Sequence, residues 1–193
     1  RVPDVVFSQM LFDGRDAASL LERWGEVVEQ APRELTSFLY GFSQRGTAPI
    51  VRVVSVYAGD DTGAAVDALT PLLEVGPVLD QQAQLAPYAA ILPAHDNRHD
   101  GGQDPLVSNG FAVHLTPEIS RTLADGLDTR VAPWLAIRAV GGAVNDVDPS
   151  ATAYAHRHQA FNVSSGGGDQ ADFHRDAARG RARRRDRLHV RRQ

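Results

Sequence analysis

Two strand-like stretches follow each other almost without a break, and their closeness restricts the fold of this chain more than any other feature. Leu35 to Gln44 is rich in apolar and aromatic residues, and Ile50 to Ala58 is a β-branched run. Arg45-Gly46-Thr47 marks the break between them. Parallel neighbours need a crossover of a dozen or more residues, so two strands this close predict an antiparallel pair. β-branched and aromatic side chains suit a pleated, half-buried surface, which strengthens the strand assignment.

Elsewhere the apolar period switches between 2 and 3.6. Val5 to Phe12 alternates as a strand and ends at the Asp13-Gly14 turn. Ala17, Leu20, Leu21, Trp24, Val27 and Val28 then fall on one helical face, with Asp16 placed to cap the start and Pro32 to stop the helix. A second helical stripe, Ala65, Val66, Leu69, Leu72 and Leu73, is interrupted by Pro71. Val78 to Leu85 reads as a strand and Pro87 to Leu92 as a short helical turn. Residues 93–106 are polar and Gly-rich, which predicts a loop. Val107 to Leu115 is the next strand, and Thr116-Pro117-Glu118 is a helix start with Thr as cap and Pro in the first turn. Trp134 to Val140 and residues 159–165 close the series as strands. The order β-α-β-β-α-β-β-α-β-β predicts an α+β fold, a mostly antiparallel sheet with helices packed on one face. The other face is left for solvent, a partner or a ligand. At 193 residues and 42% hydrophobic content, the chain is large enough to bury a core.

Composition excludes several functions. There is no cysteine, hence no disulfide, thiolate metal site or cysteine nucleophile. No apolar run approaches the ~18 residues that a membrane span needs, and no signal segment is visible, so a cytoplasmic location is expected. All 20 basic residues are Arg, nine of them in the last 21 residues against two acids; residues 1–172 hold 11 Arg against 22 acids. This break predicts a domain over 1–168 and an Arg-rich tail over 169–193, expected to be disordered or the product of a frame shift. The tail has no apolar period and no aromatic residue after Phe173, so nucleic-acid binding is not expected of it.

Three polar clusters invite a chemical reading. His95 and His99 stand four apart, as metal ligands on a helix can, but they lie among Gly and Asp in a loop without the Glu of the helical zinc-protease pattern. A solvated loop is expected, and no metal site. His156-Arg157-His158 offers an acid or base near neutral pH, yet Ser164-Ser165 lacks the Gly-x-Ser-x-Gly form of a nucleophile elbow; a structural, hydrogen-bonding His is expected. Gly166-Gly167-Gly168-Asp169 lacks the Lys and spacing of a phosphate loop and reads as a linker.

Several short segments, in this order and spacing, resemble one family. They are Glu34-Leu35-Thr36, Val56-Tyr57-Ala58-Gly59-Asp60, Leu69-Thr70-Pro71-Leu72 leading to Gly76-Pro77-Val78, Pro87-Tyr88, and Gly141-Gly142-Ala143-Val144 leading to Ala151-Thr152-Ala153-Tyr154-Ala155-His156-Arg157. From residue 5 to about 174 the chain resembles the substrate domain of bacterial FAD-linked oxidases of the berberine-bridge-enzyme-like group, in the vanillyl-alcohol-oxidase superfamily. The resemblance implies that the sheet's open face roofs a pocket over a flavin. It implies that FAD is held by a domain missing from this chain, since no flavin-attachment or pyrophosphate-binding motif is present here. The reaction it implies is oxidation of a small organic substrate by hydride transfer to FAD, with O2 as reoxidant. The cofactor carries that chemistry and the protein orients the substrate. The fragment alone is expected to be inactive. Past Asp172-Phe173 the chain departs from the family, which continues with an aromatic helix.

Alternation selects the candidate substrate-binding residues. On 134–140, Leu135, Ile137 and Ala139 form the apolar face for the helices, which leaves Arg138 on the pocket side, where the matching position in relatives contributes to substrate binding. Asn162 and Ser164 share a face of the last strand, close to where relatives place a polar or acidic catalytic residue. Ser108 is the weakest candidate, with a solvent-facing role preferred for it. No catalytic base is identifiable. The alternative reading is a non-enzymatic α+β module that binds a ligand or dimerises through the same open face.

Overall fold

A computed structural model of the chain describes residues 4–91, 107–130 and 132–167. The expected tail from 169 onward, the His95/His99 loop and the Gly168-Asp169 end of the linker lie outside the described residues. Seven strands form one sheet: β1 (Asp4–Asp13), β2 (Leu35–Phe42), β3 (Ile50–Tyr57), β4 (Val78–Pro87), β5 (Val107–Ala112), β6 (Trp134–Ala139) and β7 (Phe161–Gly166). Three α-helices accompany them: α1 (Ala17–Gln30), α2 (Thr62–Leu69) and α3 (Pro117–Asp128). The strand order is β4-β1-β3-β2-β6-β7-β5, and every pairing is antiparallel. The element order and the α+β class agree with the periodicity of the sequence.

Side-chain caps define the helix starts. The Asp16 carboxylate accepts from the Ser19 N–H at 3.4 Å, the Asp61 carboxylate from Ala64 N–H at 3.0 Å, and the Thr116 hydroxyl from Ile119 N–H at 3.3 Å. Each satisfies one of the orphan donors of a first helical turn. Pro71 does not end the second stripe abruptly; α2 stops at Leu69 and the chain tightens into a 3-10 turn over Thr70–Glu74. Leu72 then still reaches the core, fully buried.

One sheet face is closed. Val6, Met10 and Phe12 of β1, Val51 and Val53 of β3, Leu35 and Leu39 of β2, Leu135 and Ile137 of β6 and Phe161 of β7 lie beneath Leu20, Leu21 and Trp24 of α1, Leu69 of α2 and Leu127 of α3. Each large apolar side chain so buried contributes about 1.5–3 kcal/mol relative to exposure. In the middle of this face, Ser8, Ser37 and Ser55 stand opposite one another on β1, β2 and β3. The Trp24 indole N–H donates to Ser37 Oγ at 3.0 Å, and Ser37 Oγ lies 2.9 Å from Ser55 Oγ. This bond fixes α1 across the sheet centre. The ring of Trp24 also meets Phe161 at 5.7 Å, tying the helix to β7.

Candidate functional site

Among the described residues the opposite face of the sheet carries no helix. Directly opposed residues of antiparallel neighbours share a face, so the register lays out rows across it. One row runs Gln9, Val54, Phe38, Arg138, Asn162, Phe111 across β1, β3, β2, β6, β7 and β5. The next runs Leu11, Arg52, Tyr40, Ala136, Ser164, Asn109. On β2, β6, β7 and β5 the only charged side chain in these two rows is that of Arg138.

Three of the four residues selected from the sequence stand together here. Arg138 is exposed, and Asn162 is its direct partner on the neighbouring strand and half-buried. Opposed residues in such pairs hold their Cβ atoms about 4.5–5.5 Å apart, so a guanidinium and a carboxamide present a combined donor set to one ligand. Ser164 lies in the adjacent row, only 5% exposed, and its hydroxyl donates to Asn109 Oδ1 at 2.5 Å. That bond commits the hydroxyl to joining β7 and β5. Ser108 is not part of the group. It opposes Ser165, which opposes Leu135, so it occupies the helix-side face and points away from Arg138. The correction follows from register: the parity of β5 is set by its pairing with β7, which local alternation does not reveal.

An aromatic shelf borders the row. Phe111 is 39% exposed and stacks on the imidazole of His156, with centroids 4.2 Å apart and planes at 11°. Tyr154 meets both rings edge-on, at 6.2 Å and 5.8 Å. The shelf is held by Arg157. Its guanidinium sits 4.8 Å from the centre of the Tyr154 ring, while its two terminal nitrogens donate to the Val144 carbonyl at 3.0 Å and the Thr152 hydroxyl at 2.6 Å. Gly142, with φ of 66°, starts the 3-10 turn that brings Val144 there. Of the two histidines in the 156–158 cluster, His158 lies 2.8 Å from the Gln159 side-chain nitrogen, the hydrogen-bonding role expected there, while His156 is an exposed, stacked ring. Tyr154 and His156 belong to the segment that carried the family resemblance, and Phe111 is placed beside them by its pairing with Asn162 of β7. A second aromatic pair, Tyr40 and Phe42, lies on β2 with Arg52 5.2 Å from the Tyr40 ring centre.

Two hollows among the described residues lie elsewhere. A cleft of about 570 Å³ is bounded by Glu29 and Arg33 near the end of α1 and by residues 141–145, and an apolar hollow of about 240 Å³ lies between α2 and strands β1 and β4. Neither includes Arg138, Asn162, Ser164 or Ser108. The candidate face is thus a wall, with nothing among the described residues to close it.

The helix ends test whether this chain could hold a diphosphate-bearing cofactor itself. A helix N-terminus binds phosphate through its unpaired N–H groups. Here Asp16 and Asp61 occupy two of the three with their own carboxylates, and Thr116 caps the third with Glu118 in its first turn. A phosphate would meet negative charge at each, so these ends do not fit FAD. Among the described residues no group of three His, Cys, Asp or Glu gathers as for a metal ion, and no helix is long and apolar enough to cross a membrane.

No protein-family model matches the chain, and no curated protein matches it. Solved structures do. A glycopeptide hexose oxidase complexed with teicoplanin superposes with a TM-score of 0.68 at 20% identity, over 86% of this chain and 37% of that one. A flavoenzyme involved in shunt product recycling in caerulomycin biosynthesis gives 0.67 at 18% identity, over 86% and 38%. A variant of berberine bridge enzyme gives 0.66 at 16% identity, over 91% and 38%. The chain therefore spans well under half the length of the flavoenzymes it is similar to, and its fold is the one that part of those enzymes adopts.

Proposed function

We propose that this chain is the substrate-binding portion of an FAD-dependent oxidoreductase, in which a flavin held outside the chain accepts hydride from a small organic substrate. The observation that carries the reading is the asymmetry of the sheet. One face is sealed by helices, while the other presents Arg138, Asn162 and an aromatic shelf to an empty side. Fold likeness to flavoenzymes more than twice as long supports it. FAD supplies the electron sink when bound in its own domain; since the helix ends here do not fit a diphosphate, no step is assigned to it.

The roles of this chain's residues follow from their chemistry. Arg138 offers a rigid fork of donors to carbonyl, hydroxyl or carboxylate oxygens. Asn162 adds a donor and an acceptor beside it. Phe111 and His156 offer a flat apolar surface on which a substrate ring can lie, and covering it expels water from the polar pair. None of these is assigned as catalytic base, and the chain alone is proposed to be inactive and colourless.

The test begins with the DNA flanking this coding sequence, where a continuous upstream frame for a flavin-binding domain is expected. In the protein from that longer frame, Arg138→Ala and Asn162→Ala should raise KM at least tenfold, the loss of about 1.4 kcal/mol of binding. A start codon and promoter directly before residue 1 would reject the reading, as would unchanged kinetics in both variants.

A further inference from the structure

Acids are excluded from the strands that build the open face. Residues 1–172 hold 11 Arg against 22 acids. Yet β2, β3, β5, β6 and β7 contain no acidic residue, and their only charged residues are Arg52 and Arg138. Residues 151–160, which carry the shelf, hold Arg157, His156 and His158 and again no acid. The acids just before that segment, Asp146 and Asp148, are engaged by Arg33 and by Ser150. A merely solvated surface ordinarily intersperses both signs. A site lined by one sign gathers ligands of the other. This face is a cationic patch on an acidic body.

Two of its three arginines already have work within the protein. Arg52 lies 5.2 Å from the centre of the Tyr40 ring, and Arg157 holds the shelf. Arg138 makes no ion pair among the described residues. Its row reads Phe38, Arg138, Asn162, Phe111, so the polar pair stands between two rings. Neighbouring strands lie about 4.8 Å apart, which puts Arg138 and Phe111, two strands from each other, about 10 Å apart at the backbone.

Resting on the function proposed above, we infer that the substrate is a carboxylic acid that bears an aromatic ring. Its carboxylate is held by Arg138 and the Asn162 carboxamide, and its ring lies on the shelf of Phe111 and His156. A guanidinium offers two parallel N–H donors to the two oxygens of a carboxylate, and the charges match one to one. The Asn162 amide adds a further donor. A phosphate dianion would keep one charge unmatched here. A ligand covering Phe38 and the shelf removes water from the polar pair, and the attraction between the charges grows as it does so. The 10 Å spacing limits the ligand to a ring joined to its carboxylate directly or by a short linker.

Cinnamate and cinnamyl alcohol share ring and linker and differ in charge, so an NMR titration of the full chain with each tests the inference. Cinnamate should shift the signals of Phe111, Asn162 and His156. It should bind at least about tenfold more tightly than the alcohol, the factor that a hydrogen bond to a charged group supplies. Arg138→Gln should abolish that preference and leave the alcohol's binding unchanged. Arg138→Lys should keep part of it, since the charge remains and the fork does not. Arg138 is exposed, so both variants should keep the wild-type thermal midpoint, which separates loss of binding from loss of fold. Equal binding of the two probes on the shelf overturns the carboxylate assignment and leaves the proposed function standing. A preference that survives in Arg138→Gln, or cinnamate shifts confined to the arginine-rich residues 173–193, places the anion elsewhere and overturns it too. So does the absence of any shift on the open face, while the proposed function is then still decided by the upstream reading frame.

Discussion

Removing the hydroxyl of Ser37 tests the idea that one buried polar chain holds α1 over the sheet. Ser37 is fully buried and accepts the only hydrogen bond of the Trp24 indole, at 3.0 Å, while its hydroxyl lies 2.9 Å from Ser55 Oγ. In Ser37→Ala the indole N–H remains buried without a partner. An orphaned buried donor costs about 1–3 kcal/mol, more than the net value of the bond itself. For a domain of this size that is a fall in thermal midpoint of about 2–12 °C. Ser55→Ala should cost less, about 1 kcal/mol, because Ser37 still accepts from Trp24. Once Ser37 is gone, Ser55 has lost the same bond, so the double variant should melt within about 0.5 kcal/mol of Ser37→Ala alone, with a coupling of about 1 kcal/mol between the two sites. Urea or thermal unfolding followed by fluorescence of the two tryptophans measures all four members of the cycle. An unchanged midpoint in Ser37→Ala, or strictly additive losses, would refute the reasoning.

Two further perturbations follow from single contacts. In Gly41→Ala the new methyl would lie 2.7 Å from Leu127 Cδ1 and 3.5 Å from Leu135 Cβ, so the buried Leu127 side chain must leave its place; an overpacking loss of about 1–3 kcal/mol is expected, and wild-type stability in a melt would disprove the contact. Asp13 accepts from the Arg15 side chain at 2.8 Å and from its backbone N–H at 3.0 Å, and these bonds hold its carboxyl below the ordinary value of 3.8. With the folded pKa depressed, the bond's stabilisation is complete above 3.8 and is lost as pH falls through the lower folded value; a carboxyl resonance of Asp13 that titrates at or above 3.8 would contradict it.

The sheet's two-sidedness was legible in the sequence because it is written in local period. Leu135, Ile137 and Ala139 on β6 are apolar and Arg138 between them is not, so a single strand suffices to say which side faces the core. The turn from β2 to β3 was legible for the same reason, since neighbours in sequence are neighbours in the sheet. The order β4-β1-β3-β2-β6-β7-β5 was not, because it rests on pairings between residues as distant as Leu39 and Ile137. Boundaries slipped where a side chain found a partner off the sheet. Val107 to Leu115 was expected as one strand; β5 ends at Ala112, and His114 turns out to meet Glu29 of α1 at 2.8 Å.

The candidate site divides along the same line. Arg138, Asn162 and Ser164 sit on strands whose parity a reader can follow from Ile137 and Phe161, so alternation collects them on one face. Ser108 fails because its strand offers no such anchor: Ser108, Asn109 and Gly110 are all small or polar, and only the pairing of Ser108 with Ser165 decides the side. The aromatic shelf lies deeper still beyond a local reading. Tyr154 and His156 belong to no strand or helix, and their place beside Phe111 depends on Arg157 gripping the carbonyl of Val144 and the hydroxyl of Thr152. Arg157 thus converts an irregular segment into a fixed wall, and it does so with hydrogen bonds to groups 13 and 5 residues away in sequence. A surface built this way can change its rings without changing the sheet beneath, because the strands fix Arg138 and Asn162 independently of the segment that carries the shelf. Under the proposed function, polar contacts from the strands and a flat ring surface from the loop would be separable, the division that would let one scaffold meet different substrates.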